Sequence, residues 1–362
     1  MKTATKAICA ILALAMLTLS LVSCSSSTKD VISFRGENGK ATASMNENMF
    51  SYHLSDSKTF YLYGLGAKND SAEFWNMKAT EDGKTVGDMA FESVKTSAKK
   101  MVASAHMFEL LKDGDAEGGM AVVETEIEKQ VDSVVEQLTR SLGSKGELES
   151  YLSQFGVDIK NLRAYYTLYF KSEAIKASFT ATEDEKKAYF ADNYSIVKHI
   201  LINTTFKVKD DGSKVSQTEE EKAVQLARAE ALSARLSAGE DFDELWAMPE
   251  YQDADAAGAA KYPEGYFVCE NSQFTPEFEA AALDMKDGEI RTVNSTYGIH
   301  IMKKYPMDPE KYNLYSDVDK ELSSAVASAS YEKAVAPYAE KVVVDEEILS
   351  AYSMASAPTM LQ

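Results

Sequence analysis

The chain has 362 residues, with 38 Lys+Arg against 57 Asp+Glu and a formal net charge of −19. That length suits two or three domains, and a 45% hydrophobic content is enough for a sizeable core. The acidic balance excludes nucleic acid as the main partner, because phosphate neutralisation needs clustered Lys and Arg. It also excludes electrostatic docking on an anionic membrane, and three cysteines cannot make a disulfide framework.

Lys2 and Lys6 precede an apolar run from Ala7 to Val22. That run is short of the roughly 20 residues a membrane-spanning helix needs. A charged start, a short apolar stretch and small residues after it describe a secretory signal over residues 1–23. The run ends Leu21-Val22-Ser23-Cys24 and continues into Ser25, Ser26, Ser27 and Thr28, which resembles a bacterial lipobox. The resemblance implies cleavage before Cys24 and its lipidation, with residues 24–30 as a tether. Two or three acyl chains would hold the protein at the extracytoplasmic face of the cell membrane. An ordinary secretory signal with an incidental cysteine is the alternative. Cleavage would leave Cys269 as the one free thiol, compatible with an oxidising compartment because it has no partner.

In chain order, Val31–Met45 reads as a small hairpin with Asn38-Gly39 as its turn. Residues 46–83 mix aromatics with turn residues and show no clear period. Apolar residues at helical spacing predict helices over Val86–Leu111, Glu124–Leu142, Glu147–Gln154 and from Asp158 to about Phe179. Thr182 with Glu185 forms a capping box for a further helix running to Asn193. The period then changes. Ile196–Ile202 reads as a strand, followed by a loop with Asp210-Asp211-Gly212. Thr218 with Glu221 caps a helix to Leu236, and Asp241 starts a short one through Trp246. Tyr251–Glu264 reads as a loop. Thr275-Pro276 opens a helix, and Glu289–Val293 and Gly298–Tyr305 read as strands. Helices at Asp317–Ala336 and Glu346–Ser353 follow, with a short strand at Val342–Val344 and a disordered tail over 354–362.

Within residues 195–305 an ordered set of segments stands out: Val197-Lys198-His199-Ile200, Tyr251-Gln252-Asp253, Gly265-Tyr266-Phe267, Phe274-Thr275-Pro276-Glu277-Phe278, Asp287-Gly288-Glu289 and Tyr297-Gly298-Ile299-His300. This set resembles the parvulin family of peptidyl-prolyl cis/trans isomerases. The whole chain, with lipobox, helical arms and insert, resembles PrsA-type foldase lipoproteins. The resemblance implies an α+β fold: a mainly helical N- and C-terminal chaperone module (SurA-N-like) with an inserted parvulin (FKBP-like) α/β domain. The implied arrangement is a helical chaperone arm at 31–194, the isomerase domain at 195–306, and a C-terminal helical segment at 307–353 packing on the arm.

The resemblance puts Phe274 and Phe278 in a proline pocket and makes His199 and His300 a tandem pair on adjacent strands. It places Asp253 where the family has Cys or Asp beside the substrate amide, and Tyr297 where some members have Ser. It implies catalytic roles for His199, Asp253 and His300, substrate binding by Phe274, Phe278 and Tyr297, and no metal or cofactor, since the reaction makes and breaks no bond. Taken alone, the histidines also suit a structural strand pair, Asp253 a solvated carboxylate, and the two phenylalanines plain core. Cys269 suits a small buried apolar residue, and His53 and His106 lack ligand-like spacing for a metal. The sequence departs from the family at Ala260-Lys261-Tyr262-Pro263-Glu264-Gly265, where a Gly-Gly-Asp-Leu-Gly-like turn is usual, and at Phe274, where Met is usual. No basic cluster follows the first strand, so phosphate-directed specificity is not expected.

The expected function is a lipid-anchored extracytoplasmic folding factor, both isomerase and chaperone. Its partners would be unfolded or newly exported polypeptides with X-Pro bonds, and the membrane through Cys24. The sequence leaves a homodimer open. One alternative is a holdase whose parvulin domain is inactive; another is a solute-binding lipoprotein, which the long helical stretch from Val86 to Asn193 disfavours.

Overall fold

The computed structural model describes residues 29–36, 39–64, 70–115, 118–208, 213–252 and 254–360. The expected leader, Cys24, Asn38 of the first turn, Asp210-Asp211-Gly212 and Asp253 lie outside them. The chain divides into two compact units, one of residues up to Phe179 with Ala327 onward, the other Thr180–Val326. Among the described residues no helix is long and apolar enough to cross a membrane.

The first unit opens with strands β1 (Asp30–Arg35) and β2 (Ala41–Asn46). They pair antiparallel, and the short strand β9 (Val343–Val344) joins the other side of β1, through Ile32 opposite Val344. Residues 46–83, unreadable in the sequence, hold helix α1 (Glu47–Gly64) and the short α2 (Ala72–Trp75). Helix α1 buries Met49, Phe50, Tyr52, His53, Leu54, Ser55, Lys58 and Leu62. These positions do not confine themselves to one stripe, so no helical period shows, and Tyr, His, Ser, Asp and Thr are middling helix formers.

Helices α3 (Val86–Asp113), α4 (Gly119–Leu142), α5 (Lys145–Ser153) and α6 (Ile159–Ser178) follow. Their ends obey the caps in the sequence. Thr85 and Asp88 make a capping box, and Asp158 accepts the Asn161 N–H at 2.7 Å. One core joins Phe50, Trp75, Val102, Phe108 and Leu162 with Tyr331 and Val335 from the chain's last long helix.

The expected disordered tail is a correction. Met354 and Ala357 are buried, and Lys58 explains why. Its ammonium, on a side chain 1% exposed, pairs with Asp70 Oδ2 at 2.7 Å and donates to the Ala357 carbonyl at 2.6 Å. Asp70 in turn accepts the Trp75 indole N–H at 2.7 Å. The tail is therefore tied down by a buried cation whose three donors need acceptors.

The second unit begins earlier and ends later than the sequence boundaries of 195 and 306 suggest. Helix α7 (Glu183–Asn193), with its Thr182–Glu185 capping box, packs Phe190 against Phe267. Tyr312, Tyr315, Val318 and Leu322 complete that cluster. The segment from 307 to 326, expected to pack on the chaperone arm, thus serves the inserted unit. Helix α13 (Ser316–Ala339) gives its first residues to this unit and its last to the other.

Between these come β3 (Ser195–Asn203), the small hairpin β4 (Phe206–Val208) and β5 (Lys214–Ser216), α8 (Glu219–Ser237), α9 (Phe242–Trp246), α10 (Pro249–Gln252), α11 (Ala256–Lys261), β6 (Tyr266–Val268), α12 (Pro276–Asp284), β7 (Ile290–Ser295) and β8 (Gly298–Tyr305). The expected loop at 251–264 thus contains part of α10 and all of α11.

The main sheet has the order β6-β3-β8-β7, antiparallel throughout. Side chains alternate across it. One face carries Ile200, Ile202 and Ile301 against α8 and α9; the other carries Val197 and Met302 against α12. Hairpin β7–β8 turns at Gly298, whose φ of +136° and whose space rule out a side chain: an added Cβ would lie 2.3 Å from the Ile202 carbonyl oxygen.

Replacing Lys58 with Met should lower unfolding stability by about 3 kcal/mol or more, since it strands Asp70 and the Ala357 carbonyl. Urea denaturation followed by circular dichroism checks this. An unchanged midpoint would mean that the tail is not held by Lys58.

Candidate active site

Register explains how two histidines meet. His199 of β3 faces Met302 of β8, and Leu201 faces His300. The two imidazoles are therefore diagonal neighbours on one face of the sheet, within reach of each other. Their ring centres lie 5.1 Å apart, and Nδ1 of one is 3.1 Å from Nδ1 of the other. Both residues are buried.

Phe278 of α12 lies beneath them, edge-on to His199 at 5.1 Å and to His300 at 5.2 Å between ring centres. It is 2% exposed, so it is the floor of the site rather than its lining. Phe274 stacks on it at 4.9 Å, is only partly buried, and meets Tyr266 edge-on at 5.4 Å. The pair expected to form an apolar pocket is thus brought together.

Each end of the histidine pair is held. His199 Nε2 lies 2.9 Å from Asp255 Oδ2, and the Tyr266 hydroxyl donates to that same oxygen. His300 Nε2 lies 2.7 Å from Ser295 Oγ, which also accepts the Tyr297 N–H at 3.1 Å. With both rings neutral, the protons can run one way: Ser295 O–H to His300 Nε2, His300 Nδ1–H to His199 Nδ1, and His199 Nε2–H to the Asp255 carboxylate. Every ring nitrogen of the pair then has a partner.

The electrostatics agree. Burial, helped by the neighbouring His199, pulls the His300 pKa down to about 3. Burial alone would raise that of Asp255, but the hydrogen bonds from His199 and Tyr266 outweigh it and hold the carboxyl below its usual value. The Tyr266 hydroxyl is pushed up by burial and by its bond to Asp255.

Asp255 stands at the N-cap position of α11 yet makes no cap hydrogen bond, because its carboxylate is turned to His199. Gly258 makes room for this: a Cβ there would lie 1.8 Å from the Tyr266 hydroxyl and 2.4 Å from Asp255 Oδ1. The carboxylate bonded to His199 is therefore Asp255, while Asp253, assigned by resemblance, lies outside the described residues. Tyr297 is 47% exposed, and its backbone rather than its ring joins the network.

The sequence reading missed Asp255, Tyr266 and Ser295. Ser295 was findable: Val293 lies opposite His300, so Ser295, two residues on, shares its face. Cys269 is partly buried beside the Phe190 cluster, and burial pushes its thiol up. His53 and His106 lie in the other unit, His53 bonded to Tyr165 and His106 to Thr42. Among the described residues no group of three or more His, Cys, Asp or Glu could hold a metal ion.

A serine beside a histidine invites comparison with a hydrolase, and the comparison fails. A hydrolytic histidine bonds a carboxylate through Nδ1; here His300 Nδ1 meets a second imidazole. A base with a pKa near 3 is far from the neutral range at which general-base catalysis works best. The site offers a desolvated apolar floor under a fixed, hydrogen-bonded imidazole pair, with one carboxylate at its edge.

Between pH 6.5, where an ordinary histidine titrates, and about 3, where His300 does, the unfolded chain binds more protons at this group than the folded one. Stability therefore falls as pH is lowered through that window. His300→Asn should flatten the pH dependence of urea unfolding between those limits relative to wild type. Parallel curves would show that His300 is not held neutral.

Residues 180–305 match the family model of the PPIC-type PPIase domain. No curated protein matches the chain. Among solved structures, PrsA from Bacillus subtilis is 22% identical over 73% of this chain and 90% of its own, with a TM-score of 0.24. The peptidylprolyl isomerase PrsA from Bacillus cereus is 21% identical over 75% of this chain and 95% of its own, with a TM-score of 0.29. The foldase protein PrsA from Streptococcus pneumoniae is 13% identical, over 75% and 95%, with a TM-score of 0.23. The domain match, covering the strands and helices that build the histidine pair, makes residues 180–305 a parvulin-type peptidyl-prolyl cis–trans isomerase domain.

Proposed function

We propose that the chain is an extracytoplasmic, lipid-anchored folding factor: its isomerase domain speeds X-Pro rotation in exported polypeptides while its helical unit holds them. The observation that carries the reading is the hydrogen-bonded His199–His300 pair closed over Phe278 inside the matched domain. Amide rotation faces a barrier of about 18–20 kcal/mol from C–N resonance, and X-Pro isomerisation is slow enough to limit folding. Catalysis needs a place where the planar, charge-separated amide is worse solvated than the twisted one. Phe274, stacked on Phe278 and partly exposed, receives the proline ring. The buried imidazoles supply low polarity at the amide. Asp255, held ionised, disfavours the resonance form with a negative carbonyl oxygen. No nucleophile and no proton transfer is required.

The address rests on the sequence ending at Cys24, whose lipobox-like context supports lipidation. The acidic surface of the chain keeps a tethered protein soluble beside an anionic envelope.

The mature protein should accelerate refolding of a client whose slow phase is proline-limited. Phe278→Ala should abolish the acceleration and cost about 3–5 kcal/mol of stability. Phe274→Ala, at a partly exposed ring, should weaken catalysis with little loss of stability. No acceleration by the wild-type chain would leave the helical unit's holding role alone. A lipid-labelled chain in the expressing cell, unlabelled after Cys24→Ser, is the expected result for the anchor; label surviving the substitution would overturn it.

A further inference from the structure

The helical unit carries a pocket of about 520 Å³ alongside α1, lined by Asp56, Phe60, Tyr61 and Tyr63 and by Ser93 and Ser97 of α3. Phe60 and Tyr63 are 77% and 74% exposed. Tyr52, Asp56, Phe60 and Tyr63 recur at helical spacing and so form one stripe. Asp56 belongs also to a tyrosine cluster: burial first, and the Asp56 charge in addition, holds the hydroxyls of Tyr52, Tyr165, Tyr166 and Tyr169 further from ionisation. Asp56 is itself exposed, and crowding on its protein side raises its pKa through lost solvation. Among the described residues it has no ion-pair or hydrogen-bond partner.

A carboxylate that faces water beside aromatic rings, with no protein partner among the described residues, favours one kind of ligand. A cation gains from the carboxylate and from the ring faces together; a neutral group gains only from apolar contact, and an anion is repelled. The exposed Phe60 and Tyr63 rings suit the alkyl stem of a long cationic side chain, whose head can stay partly in water. We propose that this pocket takes the ammonium or guanidinium group of a lysine or arginine side chain in an extended, unfolded polypeptide. The proposal rests on the helical unit's being the part that holds clients, and it names the chemistry of one contact.

The test uses the full mature chain and short, proline-free, fluorescently labelled peptides that differ at one central position: Lys, norleucine or Glu. By anisotropy the Lys peptide should bind about fivefold or more tighter than the norleucine peptide, and the Glu peptide weakest. Asp56→Asn should erase the Lys preference while leaving isomerase activity on a short X-Pro peptide unchanged. Phe60→Ala, at an exposed ring, should reduce the preference and serves if Asp56→Asn does not fold. Equal binding of the Lys and norleucine peptides to wild type, or a full preference retained in both variants, overturns the proposal alone. Failure of all three peptides to bind overturns the client-holding reading with it.

Discussion

The hydrogen bond between two buried imidazoles is the constraint around which the isomerase unit is arranged. Nδ1 faces Nδ1 at 3.1 Å, so one ring must donate and the other accept, and two imidazolium rings, each with a proton on Nδ1, are excluded. The bond therefore forbids a doubly protonated pair, and burial holds the His300 pKa far below its ordinary value. Each neighbouring element serves that pair. Gly298 makes the turn that brings Ser295 back to His300; the start of α11 delivers Asp255 to His199; β6 supplies the Tyr266 hydroxyl that helps keep the carboxylate ionised; and α12 slides Phe278 underneath.

The opposite face of the sheet carries two lysines beside Ile200, Ile202 and Ile301. Lys198 and Lys303 lie directly opposite each other, an arrangement that would be repulsive unaided. On their face Asp243 meets both ammonium groups, at 3.5 and 2.7 Å, and also accepts the Tyr305 hydroxyl. Side chains alternate with period two, so a one-residue slip of β3 against β8 would carry a lysine into the histidine site. The lysines and isoleucines on one face and Val197, Met302 and the imidazoles on the other thus specify the same register, and the chemistry of the site depends on it.

Much of this could be read from the chain because it is written in local rules. Capping boxes at Thr182 and Thr218, the N-cap at Asp158 and the glycine after Leu142 are one-turn interactions, and the helices begin and end at them. The histidine pair is legible only through the family resemblance of the motifs around it. Helix α1 was not, because a helix buried on several sides has no stripe to display. The buried tail was not, because what holds it is Lys58, some 300 residues away. Asp255 was hidden among other acidic residues of one loop; only the folded chain distinguishes the carboxylate that meets His199 from its neighbours in sequence.

The carboxylate beside the histidine pair keeps its charge with the help of Tyr266. A buried imidazole that donates to a carboxylate needs that carboxylate ionised, and burial works against ionisation. Two donors on one oxygen, His199 and Tyr266, offset the lost hydration. The tyrosine can reach only because Gly258 leaves its hydroxyl a channel. Amide rotation delivers no atom to a reacting centre. What it needs is a dry aromatic floor, a hydrogen-bonded imidazole pair above it and an anion at its rim, and these follow from burial and hydrogen bonding at Phe278, His199, His300 and Asp255.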